Sequence, residues 1–206
     1  MRGAILAAGF LLVSACATEP VEEPSFTTRL AAPDFEVRDY AATIVAEVTV
    51  RGDPWSARFE GFGPLADYIF ANERPGEKIA MTAPVTQAPR EKIAMTAPVT
   101  QQAVGSAEEW VIGFTMPASY SMATLPPPVD PDVKLVEVPA RAMAVLSFTG
   151  LATVGDMQAA EARLLQEVTR ASLRTKGDVV FAFYDPPWIL PFFRRNEAMV
   201  EVVSGD

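Results

Sequence analysis

The sequence predicts an α+β domain made of two related halves, and three observations carry that expectation. The predicted elements run strands, helix, strands, and then strands, helix, strands again, an order that sets antiparallel strands around two helices. Most strand candidates alternate apolar and polar residues with a period of two, as half-buried strands do. The chain has 206 residues with 50% hydrophobic content, enough for one good core.

The N-terminus reads differently from the rest. Met1–Ala15 has a positive start at Arg2 and an apolar run over Ala4–Val13, too short for a spanning helix, and is expected to be a signal peptide. Leu12-Val13-Ser14-Ala15-Cys16 is similar to a bacterial lipoprotein lipobox. That resemblance implies cleavage before Cys16 and lipidation of its thiol and amine, against the plainer alternative of a secreted protein with a stray cysteine. Ala17 follows where an aspartate would favour inner-membrane retention, so the expected home is the outer membrane, facing the periplasm. Cys16 is the only cysteine, which leaves no partner for a disulfide. Residues 18–33 hold Pro20, Pro24 and Pro33 among Glu19, Glu22 and Glu23, a composition suited to a solvated tether. The expected organisation is therefore a signal peptide over 1–15, a lipidated cysteine and tether over 16–33, and one domain over 34–206.

Within that domain Phe35–Tyr40 and Thr43–Val50 are expected strands, the second rich in β-branched residues. Asp53 is placed to cap a helix and Pro54 to take its first position. Phe59, Phe62, Ala66 and Ile69, with Leu65 beside them, fall near one helical face. Gly61, Gly63 and Pro64 interrupt it, and an interior proline costs about 3 kcal/mol, so two short helical pieces are expected over 54–71.

Residues 77–87 read Glu-Lys-Ile-Ala-Met-Thr-Ala-Pro-Val-Thr-Gln, and the same eleven letters recur fourteen residues later over 91–101. Two copies are too few for a solenoid, so a local duplication of one strand is expected. Pro84 and Pro98 cannot donate to a ladder, which places each copy at an edge or makes it end there. Strands are expected at Glu109–Met116, Val133–Val138 and Ala142–Phe148, with a proline-rich loop over Pro117–Asp132. Met157, Ala160, Leu164, Val168 and Ala171 make one stripe of a helix between Asp156 and Lys176, closed by Gly177. Strands Val179–Tyr184 and Ala198–Val203 bracket a loop over 185–195.

Lys-Ile-Ala-Met-Thr-Ala-Pro-Val resembles the signature of the SOUL haem-binding family. Phe35–Tyr40 fits it upstream, and Tyr184-Asp185-Pro186-Pro187-Trp188 leading to Arg194-Arg195-Asn196-Glu197 fits it downstream. The resemblance implies antiparallel sheets forming a distorted barrel, two flanking helices and an approximate internal twofold. It also implies a tetrapyrrole held against the first helix, where Phe62, Leu65 and Ile69 occupy the matching positions.

Chemistry is narrowed most by an absence. The sequence has no histidine, so the commonest haem ligand and the commonest general base are both missing. Met81, Met95, Tyr184 and the lysines remain as axial candidates. A haem or other porphyrin would be held by apolar contact and by cations meeting its propionates. Ser–His and Cys–His hydrolases are excluded, and zinc and copper sites are poorly supplied with donors. In the loop over 184–195, Tyr184, Trp188, Phe192 and Phe193 can fill the barrel end, stack on a porphyrin while Arg194 or Arg195 reaches a propionate, or touch a membrane. Glu197 is expected to be structural, paired with an arginine. A net charge of −9 argues against nucleic acid. Three classes remain: a lipid-anchored binding module for a planar amphipathic molecule, expected as a monomer; an envelope interaction lipoprotein; and, least supported, an enzyme working through carboxylates.

Overall fold

The computed structural model describes residues 22–70, 97–104 and 106–203. In chain order the elements are β1 (Phe26–Ala31), β2 (Phe35–Tyr40), β3 (Thr43–Arg51), α1 (Pro54–Phe70), β4 (Val99–Val104), β5 (Ser106–Thr115), β6 (Lys134–Val138), β7 (Arg141–Phe148), α2 (Val154–Arg170), β8 (Arg174–Phe183) and β9 (Asn196–Val203). The nine strands form one antiparallel sheet in the order β1-β2-β7-β9-β8-β4-β5-β3-β6.

The expected twofold is visible in that order. β4 and β8 pair at the centre, from Val99↔Phe183 to Gln102↔Val180. Outward from this seam run β5, β3 and β6 on one side and β9, β7 and β2 on the other. The leading strand of each half crosses over: β2 runs into β3 but pairs with β7, and β6 runs into β7 but pairs with β3. The expected barrel is not closed, because β1 and β6 end the sheet without pairing to each other.

Both helices cover the same face. α2 packs Met157, Ala160, Leu164 and Val168 onto Val37, Leu146, Phe181 and Val200. α1 packs Leu65, Tyr68 and Ile69 onto Ala46, Val48, Ile112 and Phe114. α2 opens on a capping box, in which the Asp156 amide donates to Thr153 Oγ1 (3.3 Å) and the Thr153 amide to Asp156 Oδ2 (2.9 Å). α1 opens as expected, with Asp53 Oδ1 accepting from the amides of Trp55 (3.0 Å) and Ser56 (3.1 Å).

Three expectations are corrected. α1 is one helix through Pro64, not two pieces. A proline removes one helical hydrogen bond, and the burial of Leu65, Tyr68 and Ile69 beyond it outweighs that loss. The stretch expected as tether already contains β1, which pairs with β2 from Phe26↔Tyr40 to Ala31↔Glu36. Its six residues are all exposed, so an edge strand of this kind carries no alternating pattern to read. α2 stops at Arg170, ahead of Gly177, because Ser172 takes the left-handed conformation (φ 55°) and its amide bonds Thr169 O at 3.0 Å. Gly177 (φ 77°) lies instead inside β8, where the register with β9 shifts between Lys176 and Val180. Of the duplication, only the end of the second copy is described: Val99–Gln101 opens β4 at the centre of the sheet, directly after Pro98, while the first copy lies outside the described residues.

Candidate functional site

α1 carries two apolar stripes. The first (Ala57, Gly61, Leu65, Tyr68, Ile69) faces the sheet. The second (Trp55, Phe59, Phe62, Ala66, Phe70) follows helical spacing around one flank, and its four aromatic side chains remain exposed. Arg58 lies between the stripes. Its guanidinium stands 4.8 Å from the Trp55 ring centroid, 5.2 Å from Phe59 and 4.4 Å from Phe183 of β8, so it spans from the helix to the central seam. Among the described residues it meets rings and no carboxylate. Burial, with the charge of Arg194 adding to it, lowers its pKa to about 10.

Arg194 comes from the loop between β8 and β9. Its Nε donates to Ile189 O (2.8 Å) and its Nη2 to Pro187 O, so it braces the loop that Pro186, Pro187 and Pro191 already stiffen. The loop is fastened at its base by the Arg195 amide on Asp185 Oδ2 (2.6 Å) and at its crest by the Gly150 amide on Pro191 O (3.0 Å). What it presents outward is aromatic: Trp188 is 79% exposed and Phe193 70%, with Phe192 packed 4.5 Å from Phe193. Two guanidiniums that bond no carboxylate among the described residues, beside exposed rings from a helix and a stiff loop, suit a flat apolar molecule that carries acid groups.

The helix-free face holds a second constellation. Arg38 Nη1 lies 3.1 Å from both carboxylate oxygens of Glu197, and Nη2 lies 3.1 Å from Oε1. Glu36 accepts from Arg38 Nε (2.5 Å), Tyr40 Oη from Nη1 (3.1 Å), and Tyr184 Oη donates to Glu197 Oε2 (2.5 Å). Burial, with the charge of Glu197 adding to it, pushes the Tyr184 hydroxyl well above the ordinary tyrosine range. Glu197 is only 1% exposed and satisfied on both oxygens, so this is an interior brace.

The residues expected at the ligand site are thus distributed. Phe62 sits on the exposed stripe, with its ring 5.2 Å from Phe114. Leu65 and Ile69 are enclosed in the core beneath α1. Tyr184 is committed to Glu197 and roofed by the Arg195 guanidinium at 3.6 Å. Arg194 and Arg195 are extended neighbours and part company: Arg194 turns to the loop beside Arg58, and Arg195 pairs with Glu23 at 2.5 Å. Trp188 stands at the loop crest, and Met81, Met95 and Cys16 lie outside the described residues. Trp55 and Arg58 are new members. The spacing of Trp55 to Phe59 and Phe62 carries a helical signal, which Gly61, Gly63 and Pro64 interrupt.

Fold and surface together define a duplicated antiparallel α+β domain with an aromatic, cationic patch beside its first helix. The family model described as SOUL heme-binding protein matches residues 21–201, and the chain belongs to that family. Membership implies binding of haem or a related tetrapyrrole. A search of curated proteins finds no match to this chain. Among solved structures, a hydrolase from Listeria innocua superposes with a TM-score of 0.54 at 12% identity, over 85% of this chain and 94% of that one. The EcmrR C-terminal domain gives 0.55 at 10% identity, over 83% and 98%. Identities this low establish the shared fold alone.

The patch fits the organic part of a haem better than its metal. Ring faces and guanidiniums match a macrocycle and its carboxylates, whereas the sequence offers the iron no imidazole.

Proposed function

We propose that this protein is a lipid-anchored tetrapyrrole-binding protein of the bacterial envelope, holding its ligand against α1 and the 185–194 loop without histidine. The observation that carries the reading is the pairing of Arg58 and Arg194, neither bonded to a carboxylate among the described residues, with the exposed rings of Trp55, Phe59, Phe62 and Phe192. Trp55 and Phe59 would cover one face of the macrocycle, and the two guanidiniums would meet its propionates. Bound haem would supply a redox-active iron with no imidazole from this chain. The domain acts as a monomeric binding module, not as an enzyme. It is tethered through Cys16 to the periplasmic side of the outer membrane.

Burial of a porphyrin face at about 25 cal/mol per Å², less the entropy of association, corresponds to roughly micromolar binding. Because no strong axial ligand contributes, metal-free protoporphyrin should bind within about tenfold of haem. Titration of both into the full chain tests this, and haem binding about a thousandfold tighter than the free ring would overturn it. Arg58→Gln should weaken both ligands by about tenfold, and protoporphyrin dimethyl ester should bind the parent protein and the variant alike. Cys16→Ser should release the protein from the membrane fraction or leave it unprocessed; unchanged processing and retention would remove the anchor from the proposal.

A second reading, an envelope interaction lipoprotein, is favoured by Trp188, which stands 79% exposed at the loop crest. It takes over if neither porphyrin binds at about 50 μM, roughly ten times the expected dissociation constant.

A further inference from the structure

The sheet face opposite the helices holds a cleft that the tetrapyrrole reading does not use. Its inner chamber, about 180 Å³, lies between the two halves of the sheet: Tyr40, Met143, Met199 and Tyr184 line one side, and Val45 and Glu47 of β3 the other. An outer chamber of about 600 Å³ continues from it past Met116 and Tyr120. The two share six lining residues, including Thr43, Thr115 and Val138, and so adjoin. Together they fall within the usual size range for small-molecule sites, about 300–1,000 Å³.

The cleft has a roof. Residues Glu22–Ser25 run across both chambers. The roof is pinned by the Ala97 amide on Glu22 O (2.9 Å), the Ala118 amide on Glu22 Oε1 (2.8 Å) and Arg195 on Glu23 (2.5 Å). None of these contacts involves a residue of either helix-covered core.

The lining sets the character of a ligand. Thioethers from Met143, Met199, Met116 and Met122 adapt to irregular apolar shapes, and Tyr40, Tyr120 and Thr43 bring hydroxyls. Of the charged side chains, four are carboxylates (Glu22, Glu23, Glu47, Glu137) and one is a guanidinium, Arg141. Arg195 answers Glu23, and Lys134 stands across the β3–β6 rung from Glu47. Glu47 is half-buried on the cleft side of β3 and, among the described residues, accepts no hydrogen bond and forms no ion pair. Desolvation makes its carboxyl harder to ionise. A half-buried carboxylate that accepts no hydrogen bond and faces a cation only across the strand pair, at Lys134, gains from a second cation placed beside it.

We propose that this cleft is a second binding site, for a small amphipathic organic cation whose charged nitrogen meets Glu47 beside Met143, Met199 and Tyr40 while its apolar body reaches past Thr115 into the outer chamber, toward Met116 and Tyr120. The two sites then have opposite preferences. The propionates of a tetrapyrrole are drawn to Arg58 and Arg194 and repelled by the lining of the cleft.

The test uses the full chain with rhodamine 6G as the aromatic cation and fluorescein as an anion of similar build. The expected result is saturable binding of rhodamine 6G and binding of fluorescein at least about tenfold weaker. Glu47→Gln, which keeps the shape, should lower rhodamine 6G affinity by about tenfold and leave protoporphyrin binding unchanged. Val138→Trp, which fills the passage between the chambers, should abolish dye binding. Equal affinity for the two dyes, or an unaffected Glu47→Gln variant, would overturn the proposal. So would displacement of the dye by protoporphyrin, which would put it at α1. A protein that binds rhodamine 6G in this way but no porphyrin would support the cleft and refute the α1 reading alone.

Discussion

Arg38 and Glu197 are separated by 159 residues and meet across β7 as a buried guanidinium–carboxylate pair with three contacts of 3.1 Å. Taking Arg38 away leaves Glu197 buried without its cation, at a cost of about 3–5 kcal/mol, whereas taking Glu197 away leaves Arg38 its contact with Glu36. Arg38→Met should show that loss in urea unfolding, and Glu197→Gln a smaller one. The double variant Arg38→Met with Glu197→Leu should recover most of it, because no charge is then left stranded. Additive losses would mean that the pair does not act as a unit.

Tyr184 adds a pH signature to the same cluster. Its pKa is raised in the fold by burial and then by the charge of Glu197, and that of Tyr40 is raised chiefly by burial. A raised folded-state pKa stabilises fully below the unfolded value, about 10, and that stability is lost as pH rises beyond it, by up to about 1.4 kcal/mol per pH unit for each tyrosine. Stability measured by unfolding from pH 8 to pH 11 should therefore fall with increasing pH. Tyr184→Phe should flatten that slope, while costing about 1–3 kcal/mol at pH 8 through the lost bond to Glu197. An unchanged slope would separate Tyr184 from the alkaline transition.

The fold was largely legible because most strands and α2 bury one face, and burial writes a period into the sequence. Val45, Glu47 and Thr49 alternate against Ala46 and Val48 because only the second set lies under α1. β1 escaped because it buries no side chain, and its hydrogen bonds to β2 are made by a backbone that any sequence carries. The break expected in α1 followed from local propensity, which the contacts of Leu65, Tyr68 and Ile69 override. At the candidate site, Arg58 was invisible for another reason: only folding brings α1 beside Phe183 and Arg194, residues more than a hundred positions away. The alternate directions of Arg194 and Arg195 follow from extended backbone, but which one faces α1 is decided by the loop carbonyls and by Glu23.

The duplication makes a separate prediction. β4 opens with Val99, Thr100 and Gln101, the last three letters of the second copy, and Gln101 Nε2 donates to Pro54 O (2.8 Å) at the start of α1. Deleting residues 77–90 removes one copy and leaves the sequence running into β4 intact. The expected product is folded, with far-ultraviolet circular dichroism like that of the parent protein and a cooperative unfolding transition. Loss of cooperative unfolding would show that both copies are needed for the fold.

The last prediction concerns how closely α1 lies on its sheet, since the exposed stripe is positioned by the buried one. Gly61 faces Ile112 so closely that a Cβ built there would stand 2.5 Å from Ile112 Cγ1 and 2.7 Å from its Cβ. In an exposed helix Gly→Ala gains about 1 kcal/mol. Here the added methyl meets a fully buried β-branched side chain that cannot turn aside, and overpacking of this kind costs about 1–3 kcal/mol. Gly61→Ala should therefore destabilise the domain on balance. Ile112→Ala alone should also destabilise, by about 2–5 kcal/mol through the cavity it leaves. Combined, the two should cost less than their sum, because the new methyl enters the space that Ile112 vacates. Strict additivity in chemical denaturation would show that α1 accommodates the methyl by shifting as a body. Such a shift would carry Arg58, Trp55 and Phe59 with it, and Gly61→Ala would then lower porphyrin affinity without a loss of stability.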